Sequence, residues 1–326
     1  MSQARSRGLH HVTAISSDAR ATVAFYAGTL GLRMVKKSVN QDDPGIYHLF
    51  FADGKGRPGT DLTFFPIRYA SPGREGTGQV VRVAFRVPEG SLDAWRSRLL
   101  ERKVEVEGAR SRLGEELLAF RDPDGLGLEL VAVEDPDPEL QWPEGGVSRE
   151  AAIAGFHSVT LLEADPGPAG EVLTDLLGLT EEVEDGARTR YRGDPSAPGS
   201  AVDLVRDRDA KNGRVGAGSV HHVAFRARDE EQQAELRSRV DAAGLGPTPV
   251  IDRHWFRSVY FREPGGVLFE IATDGPGFTV DEEASELGTR LVLPPWLEER
   301  REEIEEALPT LDDPEVRTGG SDPPTP

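Results

Sequence analysis

The chain repeats one pattern four times, and no other feature limits its possible folds so strongly. The units span residues 8–67, 78–133, 153–206 and 218–273. Each opens on a β-like run: His10 to Ile15, Val80 to Val87, Phe156 to Leu162 and Val220 to Ala227. A helical segment follows, and three further strand-like runs close the unit. Asp18, Ser91 and Asp229 stand where a short side-chain oxygen can accept a free first-turn N–H. Helical faces such as Val23/Tyr26/Leu30, Leu92/Trp95/Leu99 and Leu236/Val240 recur at the right spacing. Gly31-Leu32, Gly178-Leu179 and Gly244-Leu245 end three of the helices, while the second passes through Lys103-Val104 without a glycine. The expected fold is α+β, four βαβββ modules whose mixed sheets cup cavities and carry helices on their outer faces.

At 326 residues the chain exceeds the usual size of one compact core. Two domains are expected, 8–133 and 153–280, joined by a Pro-, Gly- and acid-rich linker at 134–152. Residues 281–308 read as a helical extension and 309–326 as a disordered tail. There is no cysteine, which excludes disulfides, thiolate metal sites, iron–sulfur clusters and a cysteine nucleophile. A net charge of -19 opposes nucleic acid and anionic membranes. No run of about 18 apolar residues suggests a membrane span, and no apolar segment near the start suggests a secretory signal. The cytoplasm is the simplest location. An acidic surface with only five lysines fits a salt-rich cytoplasm and an arginine-rich proteome equally.

Two of the opening strands carry doubled histidines, His10-His11 and His221-His222, and a glutamate, Glu270, lies in the last strand of the fourth unit. Two imidazoles and a carboxylate suit a facial Fe(II) site that leaves positions open for substrate and O2. Adjacent strand residues face opposite sides, so only one histidine of each pair can point squarely into a cup. His222 shares its face with Ala224 and Arg226, whereas His221 lies with Val223 and Phe225. His11 lies with Thr13, and Glu270 opposes the apolar pair Phe269 and Ile271. Alternation therefore selects His11, His222 and Glu270 as metal ligands.

Comparison between units says which modules share a cup. The positions of His11, His222 and Glu270 are held elsewhere by Ser158, Arg82 and Glu129, with Thr63 and Asp203 at the remaining glutamate positions. Pairing units one and four collects both imidazoles with Glu270, whereas pairing two and three collects none. Pairing three and four leaves His11 unexplained. Glu129 reads as a structural relic paired with Arg82. Tyr260 stands where the second unit has Ala119, which marks it for function, whereas Arg253 has a counterpart in Arg112.

With these residues in view, the chain resembles the vicinal oxygen chelate superfamily, and within it the ring-cleaving hydroquinone 1,2-dioxygenase group. The motifs that carry the resemblance run Gly8 to Thr13, Val39 to Pro44 with Tyr47-His48-Leu49, His221 to Phe225, and Tyr260 to Phe278. It covers nearly all of residues 8–308 and implies two vicinal oxygen chelate domains. It also implies iron ligands at His11, His222 and Glu270, with supporting roles for His10, Thr13, His221, Arg253 and Tyr260. His10 and His221 sit uneasily with strict alternation, which a β-bulge would resolve. His48 is expected to line the substrate pocket, His254, Trp255 and Phe256 to shape its entrance, and His157 to be structural.

The implied chemistry is the opening of a hydroquinone-like or related phenolic ring by O2, with Fe(2+) as cofactor and Mn(2+) as the other ion such a site takes. Expected partners are a small aromatic substrate and O2; self-association is left open. Two rivals remain: a glyoxalase-type isomerase or thiol transferase on the same fold, and a non-catalytic small-molecule-binding protein. Thr63 in the fourth ligand position disfavours the first, and the retained ligands disfavour the second.

Overall fold

A computed structural model describes residues 5–311. Most of the expected tail, from residue 312 onward, lies outside the described residues. Module one holds β1 (Leu9–Ser16), β2 (Arg33–Asn40), β3 (Asp43–Ala52) and β4 (Asp61–Pro66). Module two holds β5 (Gln79–Pro88), β6 (Val106–Arg112), β7 (Glu115–Arg121) and β8 (Gly127–Val133). Module three holds β9 (Phe156–Glu163), β10 (Thr180–Asp185), β11 (Arg188–Arg192) and β12 (Ala201–Arg206). Module four holds β13 (Ser219–Ala227), β14 (Ile251–Asp252), β15 (Phe256–Arg262) and β16 (Leu268–Pro276). No helix among the described residues is long and apolar enough to cross a membrane.

The sixteen strands form two eight-stranded sheets, and each sheet draws on both halves of the chain. One runs β14-β15-β16-β13-β1-β4-β3-β2, joining module four to module one; the other runs β10-β11-β12-β9-β5-β8-β7-β6. The central seam of the first sheet is the antiparallel pair β1 and β13, in which Val12 faces Val223 and Thr13 faces His222. The register slips between Leu9 and His11 and again between Thr13 and Ala14, so His10 and His221 are each the extra residue of a bulge. The second sheet repeats this device. There Val81 and His157 are the skipped residues of the β5 and β9 seam.

Helices α1 (Ala19–Val23), α2 (Leu92–Glu101), α3 (Gly167–Glu171) and α4 (Glu230–Ala242) cover the convex faces. Asp18 and Asp229 accept the N–H groups of Ala21 and Gln232 at 2.8 Å. Ser91 holds the cap position of α2 but turns its hydroxyl to the carbonyl of Pro88 instead. Lys103 adopts φ 59 at the end of α2, the left-handed conformation that Gly31, Gly178 and Gly244 supply elsewhere. α1 and α3 each widen into a π-helical turn, Ala24–Thr29 and Val172–Leu176. Under the helices, Val12, Tyr26, Phe64, Phe85, Phe156 and Phe225 belong to one buried cluster that spans all four modules. Burial of each large side chain contributes about 1.5–3 kcal/mol.

A separate aromatic cluster lies on the concave face of the first sheet: Phe50, Ala224, Trp255, Phe256, Ala272 and Phe278. The chain after β16 packs against it and closes with α5 (Arg301–Ala307). Lys36, fully buried on β2, reaches Asp281 at 2.6 Å as well as Glu282. Arg33 donates to the carbonyls of Ala284 and Ser285 at 2.9 Å. A cation buried without such partners would cost several kcal/mol, so Lys36 ties this segment firmly to module one.

Candidate metal centre

The sheet seam brings three ligating atoms together at the floor of the first cup. His11 Nε2 and His222 Nε2 stand 3.2 Å apart, and Glu270 Oε2 lies 3.3 Å from the first and 3.0 Å from the second. His11 is 1% exposed, His222 4% and Glu270 0%. Glu270 arrives because β16 runs parallel to β13 and places it beside Ala224, which itself faces His11. Although it lies between two imidazoles, Oε2 has no partner in hydrogen-bond geometry. Three lone-pair donors converging on one point, with a buried anionic oxygen left over, fit a divalent metal ion. Two donors on neighbouring sites of such an ion, each roughly 2.1 Å from it, would stand roughly 3 Å apart. Burial pushes the Glu270 carboxyl up, but His11 and His222 outweigh it and hold the group well below the usual carboxylate range. It stays ionised, as a ligand must.

Each imidazole of the cluster is contacted by the histidine before it. His11 Nδ1 lies 2.9 Å from His10 Nδ1, and His222 Nδ1 lies 2.8 Å from His221 Nδ1. Burial and the neighbouring His11 hold His10 well below its ordinary pKa, so it is neutral and shares one proton with His11 between the two Nδ1 atoms. Burial and His222 likewise lower His221, to about 4. A proton held on the Nδ1 atoms of His11 and His222 would leave both Nε2 lone pairs for a metal ion. The bulges make this possible, because they swing His10 and His221 out of the strict alternation that would point them away from the cup.

A polar chain continues from the three residues into the cup wall. Thr13 Oγ1 lies 2.9 Å from His222 Nε2 and 2.8 Å from Thr63 Oγ1, which lies 2.9 Å from His48 Nε2. Burial lowers the His48 pKa well below its usual value, helped by His11 and His222. Ser258 donates to Glu270 Oε1 at 2.5 Å and fixes the carboxylate from the other side. Sequence reasoning missed Ser258, although a signal was there. It lies two residues before Tyr260 on the same strand face, where the second module has Leu117.

A cavity of about 40 Å³ opens beside the triad, lined among others by His48, Phe65, Arg253, Trp255, Phe256 and Tyr260. Phe256 packs on the rings of His10 and His11, and Tyr260 stands edge-on to His222. The Arg253 guanidinium lies over the Tyr260 ring at 5.6 Å and grips both oxygens of Asp42, at 3.2 and 2.9 Å. Burial alone would lower the Arg253 pKa, but Asp42 reverses the sign and raises it. Asp42 lies on the β2–β3 turn of module one, so this ion pair spans the mouth between the two modules. His254 does not line the cavity. It takes φ 73 and turns Nε2 to Asp281 at 3.0 Å, beside the Trp255 Nε1 bond to the same carboxylate.

Among the described residues the second cup has no such triad. Glu129 does not pair with Arg82 as expected: it is held by Arg112 at 2.9 and 2.7 Å, while Arg82 turns to Glu75 at 3.0 Å. β6 and β8 flank β7, so Arg112 reaches Glu129 across one intervening strand, whereas Arg82 leans toward the cup rim. His157 contacts Ser158 at 3.0 Å and Glu115 at 3.0 Å, as His10 contacts His11 in the first cup.

Comparison with known proteins places this geometry in context. The model of the Glyoxalase/Bleomycin resistance protein/Dioxygenase superfamily matches residues 8–130 and 155–271. "Putative ring-cleaving dioxygenase MhqA" of Bacillus subtilis (strain 168) is 42% identical over 308 residues, covering 92% of this chain and 98% of its own. The "Chlorohydroquinone/hydroquinone 1,2-dioxygenase" of Sphingobium indicum is 37% identical over 321 residues, covering 96% and 98%. The crystal structure of a "putative dioxygenase" from Bacillus subtilis subsp. subtilis str. 168 superposes with a TM-score of 0.90 at 41% identity, covering 94% and 98%.

Proposed function

The chain belongs to the glyoxalase, bleomycin resistance protein and dioxygenase superfamily, and on that premise we propose that it is an Fe(II)-dependent dioxygenase opening hydroquinone-like rings with O2. One observation carries the reading: two imidazoles and one carboxylate, all buried, converge on a point whose remaining side faces an aromatic-walled cavity. Three protein ligands suit chemistry in which substrate and oxidant need adjacent open positions. The relatives named for ring cleavage support the same reaction class.

His11, His222 and Glu270 would hold the iron. When bound, it supplies Lewis acidity toward a phenolic oxygen and a place for O2. The chain's own residues do the rest. His10 and His221 keep the ligand imidazoles in one tautomer, and Ser258 keeps Glu270 in one rotamer. Phe65, Trp255 and Phe256 hold the ring and exclude water. The Thr13 hydroxyl lies where it can relay the phenol proton through Thr63 to His48 Nε2, the basic end of the hydrogen-bonded chain. Arg253 stabilises negative charge that develops on the substrate oxygens once Asp42 releases it. A cavity of about 40 Å³ is far below the roughly 150 Å³ of an engineered cavity that binds benzene. Ring entry therefore requires the mouth to open, and the exposed Asp42–Arg253 pair is the contact that yields.

The test is O2 uptake by protein loaded anaerobically with Fe(II), across a panel of hydroquinones and catechols and with a hemithioacetal as the competing substrate. Uptake with a hydroquinone supports the proposal. No uptake with any phenol, alongside isomerisation of the hemithioacetal, overturns it.

A further inference from the structure

The second cup is not an inert copy of the first. Its cavity measures about 300 Å³, against about 40 Å³ beside the triad. Its polar groups have changed sign. Glu129 and Asp203 occupy the positions of Glu270 and Thr63, but Arg112 neutralises the first, and Arg188 and Arg190 neutralise the second at 2.7 Å each. Neither carboxylate is free to take a cation. The cavity wall presents four guanidiniums, Arg82, Arg110, Arg112 and Arg188, against only two carboxylates, Glu75 and Glu129. All four are ion-paired, Arg82 to Glu75 and Glu107, Arg110 to Glu107, Arg112 to Glu129 and Arg188 to Asp203, so what the wall offers an acid is unfilled donors and not net charge.

The guanidiniums also keep donors in reserve. Arg188 bonds Thr160 and Asp203 through Nη1 alone, which leaves its Nε and Nη2 without a hydrogen bond among the described residues. Leu117, Leu162 and Val205 supply an apolar wall beside them. A planar guanidinium edge matches a carboxylate better than a single-point anion. A small inorganic anion would leave the apolar wall unfilled, and a neutral aromatic would leave the donors unpaired.

We propose that the second cup binds a small organic carboxylate with an apolar or unsaturated body. Where the first cup offers a metal site to a substrate oxygen, the second offers guanidinium edges to an acid. An acid released by ring opening falls in this class, but the site requires only the geometry of modules two and three.

Calorimetric titration of the full-length, Fe(II)-loaded protein with benzoate tests it, with benzyl alcohol as the uncharged control. Saturable millimolar or tighter binding of benzoate and not of benzyl alcohol is expected. Arg188→Gln should weaken it about tenfold or more, while Arg190 keeps Asp203 paired. Val205→Phe, which narrows the cavity at its apolar wall without changing charge, should weaken it by a similar factor; His222→Ala, in the other cup, should leave it unchanged. If Arg188→Gln does not fold, Val205→Phe decides alone. Absence of saturable binding, or binding lost in His222→Ala and intact in Val205→Phe, overturns the proposal.

Discussion

His10 Nδ1 lies 2.9 Å from His11 Nδ1, a contact that two neighbours on a regular strand could not make. The bulge at His10 permits it, and the contact occupies His11 Nδ1 so that Nε2 is the nitrogen turned to His222 and Glu270. His10→Leu should keep the fold, since residue 10 packs on Phe256, yet lose about 10- to 100-fold in iron affinity or turnover. Metal content after dialysis and steady-state kinetics check this. An unchanged value for both would mean that His10 only fills space.

Arg253 is gripped by an exposed carboxylate on another module, so its two roles can be separated. Arg253→Met should lower kcat/KM by about 100-fold, as loss of a charge-stabilising donor does, and leave iron content intact. Asp42→Asn should change the melting temperature little, because exposed ion pairs contribute about 0–1 kcal/mol. It should shift KM by several-fold with a smaller effect on kcat, since it alters opening of the mouth. Equal effects of both variants on kcat would contradict the assignment.

Glu129 is 2% exposed and depends on Arg112. Arg112→Met strands that carboxylate and should cost about 3–5 kcal/mol. Adding Glu129→Met should recover much of the loss. Denaturant unfolding of the wild type, both single variants and the double variant closes the cycle.

Glu163, at 2% exposure, is raised to about 8 by burial and by the nearby Glu263. A raised folded pKa means the folded chain binds a proton that the unfolded chain releases above the ordinary value of 4.5. Stability from this group is therefore full below about pH 4.5 and is lost as pH rises toward 8. Glu163→Gln should flatten that slope and add on the order of 2 kcal/mol at pH 8. Thermal melts of both proteins at pH 5 and pH 8 measure it; parallel slopes would refute it.

Much of this was legible in the sequence because a repeat carries its own control. Comparing Ser158 and Arg82 with His11 and His222 indicated that modules one and four share a sheet, and the strand order has them so. Period-two alternation separated His222 from His221. Alternation could not place His10 and His221 themselves, since a bulge depends on cross-strand register and leaves no mark in one strand's pattern. For the same reason Arg112, one strand removed from Glu129, was overlooked in favour of Arg82. Ser91 has the right chemistry for a cap, but the carbonyl of Pro88 competes for its hydroxyl. The Lys36 anchor was invisible because its partners, Asp281 and Glu282, lie some 245 residues away in an acid-rich stretch.

His11, His222 and Glu270, drawn from opposite ends of the chain, are proposed to form one oxygen-activating centre. The decisive experiment is a single turnover of Fe(II)-loaded protein with hydroquinone under 18O2, read by mass spectrometry of the product. A ring-opened acid carrying two 18O atoms is expected from the wild type and none from His222→Ala at equal protein concentration. Unlabelled product, or labelled product formed equally well by His222→Ala, would contradict it.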